Sequence, residues 1–135
     1  MTASPVFLDT VGLLALWDKT DQWHEAAEGA FHRLASSRTP LITTAYIFLE
    51  SGNAAARRPY RDKVGALRAS LESGGFLVWP TTEDWSQAWA AFVRGEADQA
   101  GIVDHVSFLV MRRLQITTAF TNDAHYRAAG FTTLF

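Results

Sequence analysis

The chain of 135 residues contains no cysteine, which excludes disulfide scaffolds, thiolate catalysis and cysteine-based zinc sites, and suits a reducing cytoplasm. It also lacks a long apolar run: no stretch approaches the roughly 20 apolar residues that cross a bilayer. The opening Met1-Thr2-Ala3-Ser4-Pro5 has no basic segment followed by an apolar one, so no signal peptide is expected. An excess of either charge is lacking as well, with 12 Lys and Arg against 14 Asp and Glu. A net charge of -2 argues against a generic nucleic-acid coat protein, which is basic overall. No glycine-rich phosphate loop, no G-x-S-x-G and no H-E-x-x-H occurs, and His24, His32, His105 and His125 fall at no metal-ligand spacing. Repeats, low-complexity tracts and linkers are absent too. What remains is ordinary globular composition, 48% hydrophobic and 19% charged. One soluble, cytoplasmic domain over residues 1–135 is expected, with no membrane contact.

Short apolar runs alternate with longer helical patterns. Val6-Phe7-Leu8 reads as a strand, and Leu13, Leu14, Leu16 and Trp17 continue on helical spacing after a turn marked by Gly12. Thr20-Asp21 offers an N-cap for a helix carrying Trp23 to Leu34, stopped at Ser36-Ser37. Pro40 to Thr43 reads as the second strand, and Thr43 or Thr44 caps a helix containing Glu50. Pro59 opens a further helix that closes at Gly74-Gly75, before a third strand over Phe76 to Trp79. Thr81 to Asp84 resembles a capping box. Ile102 to Leu114 is apolar nearly all round, as in a buried helix. Ile116 to Phe120 and Phe131 to Phe135 supply strands four and five, with a short helix around His125 to Ala129 between them. Strands alternating with helices imply an α/β fold, a mostly parallel sheet covered on both faces.

Four carboxylates stand out against that pattern. Asp9 ends Pro5-Val6-Phe7-Leu8, Glu50 closes Tyr46-Ile47-Phe48-Leu49, Asp104 interrupts an apolar helix, and Asp123 follows Ala119-Phe120-Thr121-Asn122. A lone buried carboxylate neutralises or finds a partner. Gathered together, four repel one another unless cations sit between them. In open α/β sheets ligands bind at the carboxyl ends of strands, where Asp9 and Asp123 both project. Each has a plainer reading: Asp9, Asp104 and Asp123 as helix caps, Glu50 as the partner of Arg57 or Arg58. A single divalent-metal site accounts for all four at once, with metal-assisted phosphodiester hydrolysis as its use.

Asp9 and Asp104 are the candidates for direct metal ligands, and Asp123 and Glu50 for a second ion or for orienting water. Thr10, Thr121 and Asn122 are candidates to hydrogen-bond water or phosphate. Phosphate handles are sought in Arg57, Arg58 and Arg112, which cluster in sequence near Glu50 and Asp104. His125 reads as packing after Asp123 or touching substrate. Trp85 and Trp89, one turn apart, read as core or dimer packing ahead of base stacking. Trp17 and Trp23 flank an acidic turn, Asp18 to Asp21, that suits a partner groove.

The residues Phe7-Leu8-Asp9-Thr10, Glu50, Val103-Asp104-His105-Val106-Ser107-Phe108 and Thr121-Asn122-Asp123-Ala124-His125-Tyr126 resemble the PIN-domain ribonucleases. Within them the likeness is to the VapC-type toxins of toxin–antitoxin pairs, and it runs from about Val6 to Phe131. The resemblance implies a three-layer α/β/α sandwich with four to five strands. It implies an acidic centre of Asp9, Glu50, Asp104 and Asp123 holding Mg²⁺ or Mn²⁺, with Asp9, Asp104 and Asp123 on the metal and Thr121 as the small hydroxyl residue before the last Asp. It also implies cleavage of tRNA, rRNA or mRNA, a homodimer, and an antitoxin whose tail enters the acidic cleft. Gly101 and His105 depart from the family's frequent Ser or Thr and Cys; neither change removes a carboxylate. The rival readings are a metal-dependent phosphatase or DNA nuclease, and a non-catalytic RNA-binding domain. Val11 stands where a haloacid-type phosphatase would want a second Asp.

Overall fold

The computed structural model describes residues 4–135; Met1 to Ala3, on which the expected absence of a leader partly rests, lie outside the described residues. β1 (Val6–Leu8) is buried at every position, as a central strand covered on both faces must be. β2 (Leu41–Thr44), β3 (Leu77–Val78), β4 (Thr118–Phe120) and β5 (Thr132–Thr133) join it in the order β3-β2-β1-β4-β5. Every pairing is parallel, with Phe7 opposite Ile42 on one side and Ala119 on the other.

The helices are α1 (Thr10–Trp17), α2 (His24–Ser36), α3 (Ala45–Ala55), α4 (Arg61–Gly74), α5 (Thr82–Val93), α6 (Glu96–Gln99), α7 (Ile102–Arg113) and α8 (Ala124–Ala128). α1 packs on α2 and α3, and α3 on α4; α7 packs on α5 and α8. Right-handed crossovers put the first group on one face of the sheet and the second on the other. This is the expected three-layer α/β/α arrangement, with five strands. Phe7, Leu8, Leu13, Ile47, Phe108, Met111 and Phe120 are the centre of its core. Among the described residues no helix is long and apolar enough to cross a membrane.

The direction of chain growth reverses between β1 and β4. From β1 the chain moves outward to β2 and β3, then crosses back to β4 on the far side of β1. The connections that follow β1 and β4 therefore leave toward opposite faces of the sheet and open a crevice at the paired carboxyl ends of the two strands, the usual ligand position in such sheets.

Several local expectations shift. Gly12 lies inside α1 rather than in a turn before it. α2 starts at His24, not after Thr20-Asp21, because Asp21 Oδ1 accepts from the Trp23 amide (2.8 Å) in a turn that ends before the helix begins. α6 was not foreseen. Its Ala97 and Asp98, followed by Gln99, adopt left-handed backbone, which no periodicity announces and which costs L-residues about 1–2 kcal/mol each. α7 is buried or half-buried at every position from Ile102 to Met111, as expected of a helix apolar nearly all round, and only Arg112 and Arg113 at its end are exposed. Thr44 caps α3, and Thr81 with Asp84 completes a capping box on α5, both as expected.

Candidate active site

Asp9 sits one residue beyond β1 and caps α1, its Oδ2 accepting from the Val11 amide at 3.3 Å. The cap explains why the helix starts there; it does not explain the other contacts. Thr121 donates its hydroxyl to Oδ2 at 2.8 Å, and Tyr126 donates its phenol to Oδ1 at 2.8 Å. Both oxygens of a carboxylate 1% exposed are therefore engaged by hydroxyls from the β4–α8 segment. Burial, and then the charge of Asp104, pushes the Asp9 carboxyl up to about 7. Burial next to that carboxylate likewise holds the Tyr126 phenol well above its ordinary range.

Asp104 lies in the first turn of α7, where the helix dipole favours an anion. Burial, and then the charges of Asp123 and Glu50, raise it to about 6. Asp123 caps α8, its Oδ1 accepting from the His125 amide at 2.9 Å and meeting His125 Nδ1 at 2.8 Å. That contact with Asp123 raises the pKa of His125. Thr121 ties the turn down from the other side by accepting from the Asp123 amide at 3.1 Å. One donor atom each from Asp104, Asp123 and His125 comes within 4.8 Å of the others. Two carboxylate oxygens and an imidazole nitrogen that close form a donor set suited to a divalent cation.

Glu50 is exposed on α3, near enough for its charge to raise Asp104. It borders a groove of about 460 Å³ shared with Tyr46, Leu49, Asn53, Trp85 and Val103. The fold thus brings Asp104, Asp123 and Glu50 to one mouth and sets Asp9 beneath it. Asp9 is the buried base of the cluster; it is not among the three residues whose donors converge.

The remaining candidates separate. Thr10 is buried, donating to the Ile47 carbonyl and accepting from Ser51, both at 3.5 Å; it ties α1 to α3 and faces no open space. Asn122 is half-buried between Thr121 and Asp123, and its carbonyl accepts from Arg127. Arg57 is exposed in the turn after α3. Arg58 pairs with Asp18 at 3.1 Å and lines a cavity of about 380 Å³ with Trp17, Lys19, Tyr60 and Lys63. That cavity lies at the far end of α1 from Asp9, about 12 Å along the helix axis. Arg112 is likewise about 12 Å along α7 from Asp104. Its guanidinium lies 6.0 Å from the Phe108 ring and 5.5 Å from the Phe131 ring, and donates to the Ala129 carbonyl. Sequence proximity misplaced both arginines, because a helix carries its two ends apart.

Two residues of the site gained no such role from the sequence. In the sequence Tyr126 stands out only as part of a motif, and His125 reads as packing or a substrate contact. Their signal was the spacing Asp123-x-His125-Tyr126: a capping carboxylate, a ring nitrogen in the first turn, and a hydroxyl-bearing aromatic on the buried side.

No family model matches the chain. It is 30% identical over 128 residues, 93% of its length and 95% of the relative's, to the 23S rRNA-specific endonuclease VapC20 of Mycobacterium tuberculosis, in strains CDC 1551 / Oshkosh and H37Rv. The crystal structure of VapC20, a sarcin-ricin loop cleaving toxin, matches with a TM-score of 0.76 and 28% identity, covering 94% of this chain and 96% of that one. The structure of FitAcB from Neisseria gonorrhoeae matches with a TM-score of 0.62 over 95% of each chain. At 16% identity that second likeness is one of fold.

Proposed function

The chain belongs to the VapC-type PIN toxins, and from that premise we propose that it is a metal-dependent endoribonuclease, one nuclease domain over residues 1–135, that hydrolyses RNA phosphodiester bonds. The observation that carries the proposal is the convergence of Asp104 and Asp123 above buried Asp9 at the carboxyl edge of the sheet.

Mg²⁺ or Mn²⁺ is the cofactor in this reading. Asp9, Asp104 and Asp123 are the residues that would hold it. When bound, such a cation neutralises charge on the phosphoryl group and makes water a better nucleophile. The protein's own part is placement. Thr121 and Tyr126 fix Asp9, so that a negative charge stands under the site in one orientation. Asp123 is fixed by the α8 amide and by Thr121. Glu50, on the exposed wall of the groove, is placed to orient the attacking water and take up its proton.

RNA is the substrate class, and structured ribosomal RNA is the first to test, because the relative VapC20 carries 23S rRNA in its name. The reading also supplies two partners: an antitoxin that inserts a cation among the carboxylates, and a second copy of the chain. It places the protein in the cytoplasm, where RNA and antitoxin are.

The test is incubation of purified protein with total bacterial RNA and either metal, against Asp104→Asn and an EDTA control. Discrete fragments that disappear with EDTA, and that fall by roughly 10²-fold or more in the variant, are expected. Cleavage by Asp104→Asn at the wild-type rate would sink the assignment. Intact RNA in every lane, with metal bound, would point to a DNA or phosphomonoester substrate instead.

A further inference from the structure

We infer that the cavity at the far end of α1 is a second contact for the RNA substrate, where Lys19, Arg58 and Lys63 hold backbone phosphate away from the bond that is cut. The inference rests on the ribonuclease reading above and says where else that substrate is gripped.

It begins with which cations are free. Arg68 pairs with Glu72 at 2.9 Å, Arg113 with Asp84 at 2.7 Å, and Arg94 with Glu96. The two lysines of the chain, Lys19 and Lys63, both line this cavity. They are exposed and form no ion pair among the described residues, and the same holds for Arg57 and Arg61, which flank the lining residues Arg58 to Tyr60 in the chain. The acid of the lining is Asp18, already tied down: Oδ1 accepts from the Thr20 amide and hydroxyl, and Oδ2 pairs with Arg58. With Asp21 and Asp62 as the other acids of these two segments, the balance is positive. In a chain of net charge -2, such a cluster is the electrostatic footprint of a polyanion.

The cavity has the shape for one as well as the charge. Its volume is about 380 Å³. Trp17 and Tyr60 stack in its wall, with centroids 6.3 Å apart and planes 28° from parallel. Tyr60 is buried and Trp17 half-buried, so a rigid aromatic wall stands beneath a rim of cations. Single-stranded nucleic acid is gripped by this combination, cations on the phosphates and a ring under a base. α4 starts at the same wall with no side-chain cap, and its dipole adds to the positive field.

An acidic protein segment would also meet these cations, but the active site itself favours RNA. Glu50, Asp104 and Asp123 make its mouth acidic, so phosphates are repelled there except at a bound cation. Affinity for a long polyanion must then come from cations elsewhere on the surface. The cavity is offset from Asp9 by about 12 Å along α1, which a helical strand rising about 3.4 Å per nucleotide covers in roughly four nucleotides. A contact so far from the cut bond holds substrate and transition state alike, so it acts on KM and leaves kcat alone.

The experiment measures binding first and cleavage second. In EDTA, where no metal draws phosphate to the acidic mouth, fluorescence anisotropy follows a short fluorescein-labelled single-stranded RNA. Lys19→Ala/Lys63→Ala alters two exposed side chains. It is expected to weaken binding by roughly tenfold and to reduce the slope of log K against log salt by about two. Arg33→Ala/Arg38→Ala removes the same charge from exposed residues outside the cavity, and should stay near the wild-type values. With metal present, the cavity variant should cleave ribosomal RNA with KM raised roughly tenfold and kcat unchanged. Wild-type protein that does not bind RNA in EDTA would overturn the inference, as would an equal loss in the arginine control. A cavity variant that binds and cleaves RNA normally but escapes its antitoxin would also overturn it, by giving the cavity to a protein. The two readings fail separately. RNA binding lost in the cavity variant, with no cleavage by the wild type, removes the ribonuclease and keeps the RNA contact; cleavage with an unchanged KM does the reverse.

Discussion

Gly12 shows how much a single residue position can carry without any side chain. It lies in the first turn of α1, immediately after Asp9, and a Cβ placed there would stand 2.0 Å from the Phe120 carbonyl oxygen of β4. That oxygen is backbone in the middle of a buried sheet and cannot swing aside. Glycine at this position lets α1 lie against β4, and so brings Asp9 within reach of Thr121, which directly follows that strand. Gly12→Ala is expected to destabilise the protein by about 1–3 kcal/mol or more. Because the displaced elements carry Asp9 and Thr121, cleavage should fall along with stability. Chemical denaturation checks the first effect, and an unchanged midpoint would show that the helix can lift without cost. In the sequence Gly12 looked like a turn residue. The contact that requires glycine lies 108 positions away along the chain, beyond any local pattern.

At the scale of the element, α5 has two different faces. Asp84, Ala88 and Ala91 are buried against the rest of the fold, with Asp84 accepting from Arg113 of α7 at 2.7 Å. The outer face carries Trp85, Trp89 and Phe92 in an edge-to-face row, with ring centroids 5.8 Å and 5.3 Å apart, followed by Val93 at 80% exposure. Rings left this open in a row mark an interaction surface, and Tyr46 of α3 extends it toward the groove that holds Glu50. The homodimer proposed above would form through this face. Trp89→Ser is expected to weaken self-association by roughly tenfold or more while leaving the fold intact. Sedimentation over a concentration series measures it, and a wild type that stays monomeric at tens of micromolar would remove the assignment. The one-turn spacing of Trp85 and Trp89 showed that they share a face. It could not show that the face points to solvent, because that depends on what packs against the other side of α5.

For the whole molecule, the cluster of acids makes stability depend on pH. Asp9 and Asp104 are raised from an ordinary 3.8 to about 7 and about 6, in both cases first by burial. Between those limits the folded protein holds protons that the unfolded chain has already released. Stability from these groups is therefore complete below about pH 4 and is lost as pH rises through 6 and 7. His105 acts in the opposite sense: burial lowers its pKa, so acidification below its ordinary range disfavours the fold. The metal-free protein should melt at a lower temperature near pH 8 than near pH 5, and saturating Mn²⁺ should raise the melting point more at the higher pH. A melting point that rises with pH in the absence of metal would contradict this account.

The sequence by itself determined the alternation of strands and helices, the caps at Thr44 and Thr81, the α/β class and the four acidic positions. Each of these is a local matter of periodicity, capping chemistry or one charge in an apolar run, so each can be read within a window of a few residues. Only the tertiary structure decided what the carboxylates do for one another. It put Asp9 under Thr121 and Tyr126, more than a hundred positions away, and left Asp104, Asp123 and His125 as the group whose donors meet. It also carried Arg58 and Arg112 to the far ends of α1 and α7, away from the acids they seemed to flank. The reason is the parallel sheet. Its crossovers bring the carboxyl ends of β1 and β4 side by side, so distance along the chain says little about distance in the site.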